Sequence, residues 1–198
     1  PFRPRDRFFT MHHPGDLASQ HALRVSRLGR LAERTLEAEL QTLKRAALDD
    51  GRWDETYDFA KGRHPDYFRA NWGADVFTNL SMDVAAFVDV DGRVLALRQY
   101  DAFARRFTEA SAEIGRVVGR DGPLLPRLTG DTATSGLVLV GRDVYAWGGA
   151  PISRSGGLSE VAGHLILLRS MGASFEGLLA DLVDARVSLE VLPGAKRP

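Results

Sequence analysis

VAAFVDVDGRVLALR, at residues 84–98, contains two apolar segments on either side of the dipeptide Asp91-Gly92. Each segment has the length and the valine-rich composition of a strand, and Asp-Gly is typical of a two-residue type I′ turn. The sequence therefore predicts a β-hairpin here, and the rest of the domain can be placed relative to it.

Further strands are predicted in the second half of the chain. Residues 136–140 and 144–150 are apolar segments joined by a short turn, which indicates a second hairpin. Residues 163–169 are predicted to form a fifth strand. A helix near residues 173–183 and a closing strand at 187–192 complete the predicted domain.

A long amphipathic helix is predicted before the first hairpin, over residues 17–50. This region contains no proline and a single glycine, Gly29. Its apolar residues recur at three- and four-residue steps, namely Leu28, Ala32, Leu36, Leu40, Leu43 and Ala47. The opposite face is polar, so this stripe must pack on the domain body, on a second copy of the helix, or on both.

Two aromatic helical segments follow the long helix. In the first, Trp53 and Tyr57 lie one turn apart on the same face, with Asp54 and Asp58 beside them. The second covers residues 66–80, which are rich in aromatic side chains. Aromatic residues at helical spacing either line a pocket or fill the core.

A further helix is predicted to begin at Asp101 and to cross between two parts of one sheet. Its apolar positions keep a helical period at Phe103, Phe107, Ala110, Ile114 and Val117. Two hairpins, a crossing helix and another strand indicate an α+β fold with a mostly antiparallel sheet and helices packed to one side.

Composition limits the possible functions. The chain has 198 residues, 26 basic and 26 acidic side chains, and no cysteine. It offers no broad basic surface for nucleic acid, and neither a disulfide nor a thiolate metal site. It contains no apolar run of membrane-spanning length. Residues 17–192 are predicted to form one domain, preceded by an irregular, basic segment at 1–16, a disordered tag or juxtamembrane remnant, and followed by a tail at 193–198.

Several motifs together resemble the type-four CHASE domain, an extracellular sensory module of bacterial receptors. The resemblance begins at WDETYDF, residues 53–59, with Tyr67 and Asn71 downstream. It continues through FVDVDGRV at 87–94, API at 150–152 and GHLILLR at 163–169. One departure is visible, because such domains often carry a tryptophan where this chain has Asp50.

The resemblance implies a Cache/PAS-like fold in which a long N-terminal helix leads from a membrane span into the sheet domain. It also implies a periplasmic location and a small-molecule ligand. The apolar stripe of the N-terminal helix favours a homodimer formed through that helix, and the residues indicate no cofactor. Membrane contact would be made only through spans outside this sequence. The attached output would be a diguanylate cyclase, a cyclic-di-GMP phosphodiesterase or a histidine kinase.

Eight residues are predicted to bind the ligand, because a small-molecule site needs aromatic walls and a few oriented polar groups. They are Trp53, Asp54, Tyr57, Asn71, Phe87, Tyr145, Trp147 and Arg169.

Each of these predictions has a structural alternative. The aromatic residues could be core, and Asn71 could cap backbone groups. Arg169, at the end of an apolar strand, could hold a ligand carboxylate or phosphate, or form an internal ion pair with Asp54 or Asp89.

No catalytic or metal-binding motif is present. His64 and His164 lack metal-ligand spacing, and His164 lies inside an apolar strand, where a hydrogen-bonded core histidine is expected. The glycine-rich segment at 153–157 lacks the strand-to-helix context of a phosphate loop. The sequence therefore favours a non-catalytic ligand sensor, with a non-liganded dimerisation or protein-interaction module as the alternative and an enzyme as the least favoured reading.

Overall fold

The computed structural model describes residues 14–128, 130–156, 160–172, 175–177 and 180, with side chains from residue 29 onward. The predicted closing strand at 187–192 lies outside these residues. Most of the predicted helix at 173–183 also lies outside them, and its described residues are helical.

In the part of the chain that the structure describes, a six-stranded sheet forms the centre of the domain, and every neighbouring pair of strands is antiparallel. The order of these strands is β3-β2-β1-β6-β5-β4, so β6 returns between the two hairpins and β4 is an edge strand among them. The strands are β1 (Val84–Asp89), β2 (Val94–Asp101), β3 (Arg106–Thr108), β4 (Thr134–Val140), β5 (Asp143–Ile152) and β6 (Gly163–Ser170). The α+β fold with a mostly antiparallel sheet that the sequence predicts is confirmed.

Both predicted hairpins are present, but the first has a different turn. The amide of Gly92 donates to the carbonyl of Asp89, and the amide of Asp89 donates to the carbonyl of Arg93, which leaves a three-residue loop. Gly92 has a φ of 78°, whereas Asp91 does not have positive φ. The Asp89 carboxylate accepts the amides of Asp91 and Arg93, and this favours the longer loop over the predicted type I′ turn.

The long helix α1 (Pro14–Gly51) begins three residues earlier than predicted. It packs along β5, and its apolar stripe joins the core from Ala32 through Leu43 to Ala47. The side of the sheet that it covers, called here the α1 face, carries Phe87 and Leu167. The stripe therefore packs on the domain body, one of the two partners proposed for it.

The aromatic region between α1 and β1 forms three short helices. They are α2 (Asp54–Ala60), α3 (Tyr67–Asn71) and α4 (Ala74–Asn79). The single helix predicted over 66–80 is interrupted, because Trp72 leaves helical geometry to enter the core and Gly73 is extended. The carbonyl of Trp72 then accepts a hydrogen bond from the Arg98 guanidinium, 2.7 Å away.

The prediction that a helix begins at Asp101 is wrong. Asp101 ends β2, and its carboxylate accepts the amides of Phe103 and Ala104, which turns the chain into β3. The helix α5 (Ala112–Val118) starts only after Ser111, whose hydroxyl accepts the amide of Ile114. Side-chain capping at these two positions overrides a weak helical period.

The prediction that helices pack to one side of the sheet is also wrong. Helix α5 and the 3₁₀ helix at Leu125–Arg127 cover the second side, called here the α5 face. This face is lined by alternating residues of the same strands, including Val84, Ile166 and Trp147. None of the helices in the described part of the chain has both the length and the hydropathy needed to cross a bilayer.

Candidate functional site

The eight predicted ligand-binding residues do not meet at one place. Tyr57 and Phe87 belong to the core on the α1 face, whereas Trp147 and Tyr145 lie on the α5 face. The two faces are separated by the sheet. Trp53 is 52% exposed at the start of α2 and is not a core residue.

Phe87 is fully buried at the centre of an aromatic cluster. Its ring lies 5.2–6.4 Å, centre to centre, from the rings of Phe59, Tyr67, Phe68 and Trp72. The arrangement is mostly edge to face, which is the preferred packing of aromatic rings. These contacts place Phe87 in the packed core that joins α2 and α3 to the sheet.

The polar residues near this cluster make structural contacts. The Asn71 side-chain amide donates to the carbonyl of Tyr67, 3.1 Å away, within its own helix.

Asp54 accepts the backbone amide of Ser155 at 3.1 Å and lies 3.7 Å from the Arg154 guanidinium. Arg154 also pairs with Asp58 and lies over the Tyr57 ring. Through these contacts, Asp54 and Tyr57 hold α2 against the segment that follows β5.

Two buried polar atoms on the α5 face have no partner among the described residues: Trp147 Nε1 and His164 Nδ1. Trp147 is 1% exposed and His164 is 7% exposed. Burial lowers the pKa of His164, and a hydrogen bond with the backbone of Leu128 opposes this effect. His164 is therefore the hydrogen-bonded core histidine expected from its strand.

Arg169 forms an internal ion pair, but with neither Asp54 nor Asp89. Its guanidinium pairs with the carboxylate of Glu39 on α1, and both side chains are largely buried. The contact joins the end of β6 to the middle of the long helix, across 130 positions of sequence.

Arg169 also lines a cavity of about 380 Å³ at the end of the sheet, between α4, the turn after β2 and the end of β6. Its walls are Phe77, Thr78, Ser81, Met82, Asp83, Ala102, Arg169, Ser170 and Gly172.

Asp83 is the acidic group of this cavity. Burial raises its pKa, while the hydrogen bond from the Ser170 amide and the charge of Arg169 oppose the increase. The distance from that amide to the carboxylate is 2.6 Å. Ser81 is held at a φ of 49°, a conformation that non-glycine residues seldom adopt and that clusters at functional sites.

This cavity combines a carboxylate, a guanidinium and an aromatic wall, which suits a small polar molecule. Sequence reasoning singled out Arg169 but missed Ser81, Asp83 and Ser170. No local signal identifies them, because they meet only when β1 pairs with β6. Among the described residues no cluster of potential metal ligands occurs.

The fold and this cavity define a class of protein: an α+β domain in which a long helix packs on a central antiparallel sheet beside a cavity of about 380 Å³. The model of the CHASE4 domain family matches residues 35–190. The chain therefore belongs to the CHASE4 family of sensory domains, and the resemblance drawn from its motifs is confirmed.

One curated relative is the methanogenesis regulatory histidine kinase FilI of Methanothrix harundinacea (strain 6Ac). The two are 27% identical over 150 residues, which cover 72% of this chain and 16% of that protein. The chain thus spans about a sixth of the length of this relative.

Two solved structures have a similar fold. One is described as the domain of a sensory box/GGDEF family protein from Vibrio parahaemolyticus, with a TM-score of 0.56, 14% identity, and coverage of 83% of this chain and 64% of that chain. The other is described as the extracellular domain of the histidine kinase vpHK1S-Z8, with a TM-score of 0.55, 16% identity, and coverage of 83% and 61%.

Proposed function

We propose that this chain is the non-catalytic, periplasmic sensory domain of a transmembrane receptor, and that a small polar ligand binds in the cavity lined by Asp83 and Arg169. Binding would shift the position of α1 and so regulate a cytoplasmic output, such as a diguanylate cyclase, a cyclic-di-GMP phosphodiesterase or a histidine kinase. The family membership and the descriptions of the similar proteins support this class of function.

One observation carries the proposal: Arg169 takes part in both the cavity wall and the contact with α1. A ligand anion near Arg169 competes with Glu39 for the same guanidinium, and a ligand cation can pair with Asp83. Either interaction changes the free energy of the contact that holds α1 against β6. Ligand occupancy and helix position are therefore linked through one side chain.

A thermal-shift screen tests ligand binding directly, because a ligand that binds only the folded state raises Tm. The panel comprises amino acids, carboxylic acids, polyamines, nucleotides and fatty acids. A ligand present at a hundredfold excess over its Kd stabilises the fold by about 2.7 kcal/mol. We expect Asp83→Asn to abolish the response, and Asp75→Asn, whose side chain is exposed on α4 and outside the cavity wall, to retain it.

The coupling to α1 can be measured in the same protein. The chain has no cysteine, so single cysteines introduced at exposed Ala38 on α1 and exposed Arg142 on the β4–β5 turn can carry spin labels. We expect the ligand to change the distance distribution between the labels, and Glu39→Gln to change it without ligand. A panel without any hit would contradict the ligand sensor and favour the non-liganded dimerisation or interaction module.

A further inference from the structure

A notch left by the missing side chain of Gly136 lies beside the buried indole N–H of Trp147, on the strand that ends the sheet in the part of the chain that the structure describes. Gly136 on the edge strand β4 lies directly opposite Trp147 on β5. A Cβ atom added to Gly136 would lie 3.3 Å from Trp147 Nε1. That nitrogen is buried and has no hydrogen-bond partner among the described residues. A buried donor without a partner costs free energy that an acceptor at this point would recover.

Arg127 reaches the same notch from the 3₁₀ helix. Its Nη1 lies 3.8 Å from the same Cβ position on Gly136. The side chain is exposed, and in the part of the chain that the structure describes the guanidinium forms neither a hydrogen bond nor an ion pair. An indole N–H and a guanidinium are donors only, so neither can satisfy the other. The group missing between them is an acceptor that carries negative charge.

We propose that this notch, formed by Gly136, Trp147 and Arg127, binds a small carboxylate. One carboxylate oxygen accepts the indole N–H, and the guanidinium pairs with the carboxylate through its planar fork. A Cβ at position 136 would already be in tight contact with the indole, so the notch is narrow and suits a flat carboxylate better than a tetrahedral phosphate. The site lies on the α5 face and shares no residue with the cavity of Asp83 and Arg169.

The indole N–H signals of the ¹⁵N-labelled chain report on this site. The chain has 3 tryptophans, and the signal of Trp147 is assigned by its loss in Trp147→Phe. Sodium acetate is the probe, and sodium chloride and sodium phosphate at equal ionic strength are the controls. We expect acetate to move the Trp147 signal in a saturable manner while the signals of Trp53 and Trp72 stay in place.

Surface variants keep the test independent of core packing. Arg127→Gln should weaken acetate binding at least tenfold, whereas Arg142→Gln, an exposed arginine on the same edge hairpin, should leave it unchanged. Gly136→Ser places a hydroxyl against the indole and should abolish the acetate response while the protein remains folded.

Three results would overturn the proposal: no acetate response of Trp147, an equal response to chloride or phosphate, or unchanged affinity in Arg127→Gln. These outcomes are distinct from failure of the proposed sensor, whose variants alter Asp83 and Glu39.

Discussion

Asp50 shows how one residue can change the stability of this domain. It lies in the last turn of α1, and burial together with the charge of Asp49 raises its pKa from 3.8 to about 6. The carbonyl end of a helix also disfavours a negative charge. Asp50 makes no ion pair with a described residue that could offset these effects. The ionised carboxylate therefore destabilises the fold at neutral pH.

Replacing Asp50 should stabilise the domain at neutral pH. A carboxyl whose pKa is higher in the folded state favours folding while it is protonated, so its penalty grows as pH rises from about 4 to about 6 and is complete above that range. We expect Asp50→Asn to raise the free energy of unfolding at pH 7 by about 1–2 kcal/mol, after allowance for partial exposure. Urea unfolding at several pH values measures this difference.

The control for this experiment is Asp121→Asn, which changes an exposed aspartate. It should leave the pH dependence of stability as it is in the parent chain. Equal stability of Asp50→Asn and the parent at both ends of the pH range would show that Asp50 is well solvated.

The contact between α1 and β5 decides the architecture at the level of elements. The backbone of α1 comes so close to the sheet that a Cβ on Gly148 would lie 2.4 Å from the carbonyl carbon of Leu43 and 2.5 Å from the amide nitrogen of Lys44. Real Cβ atoms do not approach backbone so closely, so any side chain at 148 must push α1 outward. Because Glu39 lies on the same helix, the geometry of its ion pair with Arg169 on β6 depends on this glycine.

Gly148→Ala should therefore destabilise the domain by about 3 kcal/mol, since overpacking against backbone cannot be relieved by a rotamer change. The matched variant is Gly115→Ala in α5, where a Cβ would meet nothing within 4 Å. That change should stabilise the domain by about 0.5–1 kcal/mol, because alanine is the better helix former. Thermal unfolding of both variants measures the contrast. Similar effects of the two substitutions would contradict the close approach of α1.

In the whole molecule, the length of α1 is the feature that bears most on association with a second copy. Its 38 residues extend about 57 Å, whereas the 10 residues of the longest strand, β5, extend about 34 Å. Of the described side chains, Ala32 is the first on α1 to pack against the core. A helix longer than its sheet suits the homodimer expected from the sequence, in which two copies associate along their N-terminal helices.

We expect the isolated chain to sediment as a dimer at micromolar concentration and to become a monomer after deletion of residues 1–28. Deletion of residues 1–13, which precede the helix, is the matched control and should leave the dimer intact. Both truncated chains should keep the thermal stability of the core. A parent chain that remains monomeric at high concentration would count against the proposed dimer.

The sequence by itself determined the elements whose signals are local: the long amphipathic helix, both hairpins, the late strand and the family motifs. Periodicity and turn residues act between near neighbours, so these elements could be recognised without the fold. The break at Trp72-Gly73 and the turn after Asp101 could not, because burial of Trp72 and capping by Asp101 overcame a helical pattern.

Only the tertiary structure decided which side chains meet. Alternation along the strands placed Phe87 and Trp147 on opposite faces of the sheet, although both are aromatic residues in apolar strands. The partner of Arg169 lies 130 residues away on α1, and no spacing in the sequence marks Glu39 as that partner. The cavity residues come from separate elements that strand pairing brings together. Such contacts depend on the packing of distant segments, and local sequence patterns do not predict them.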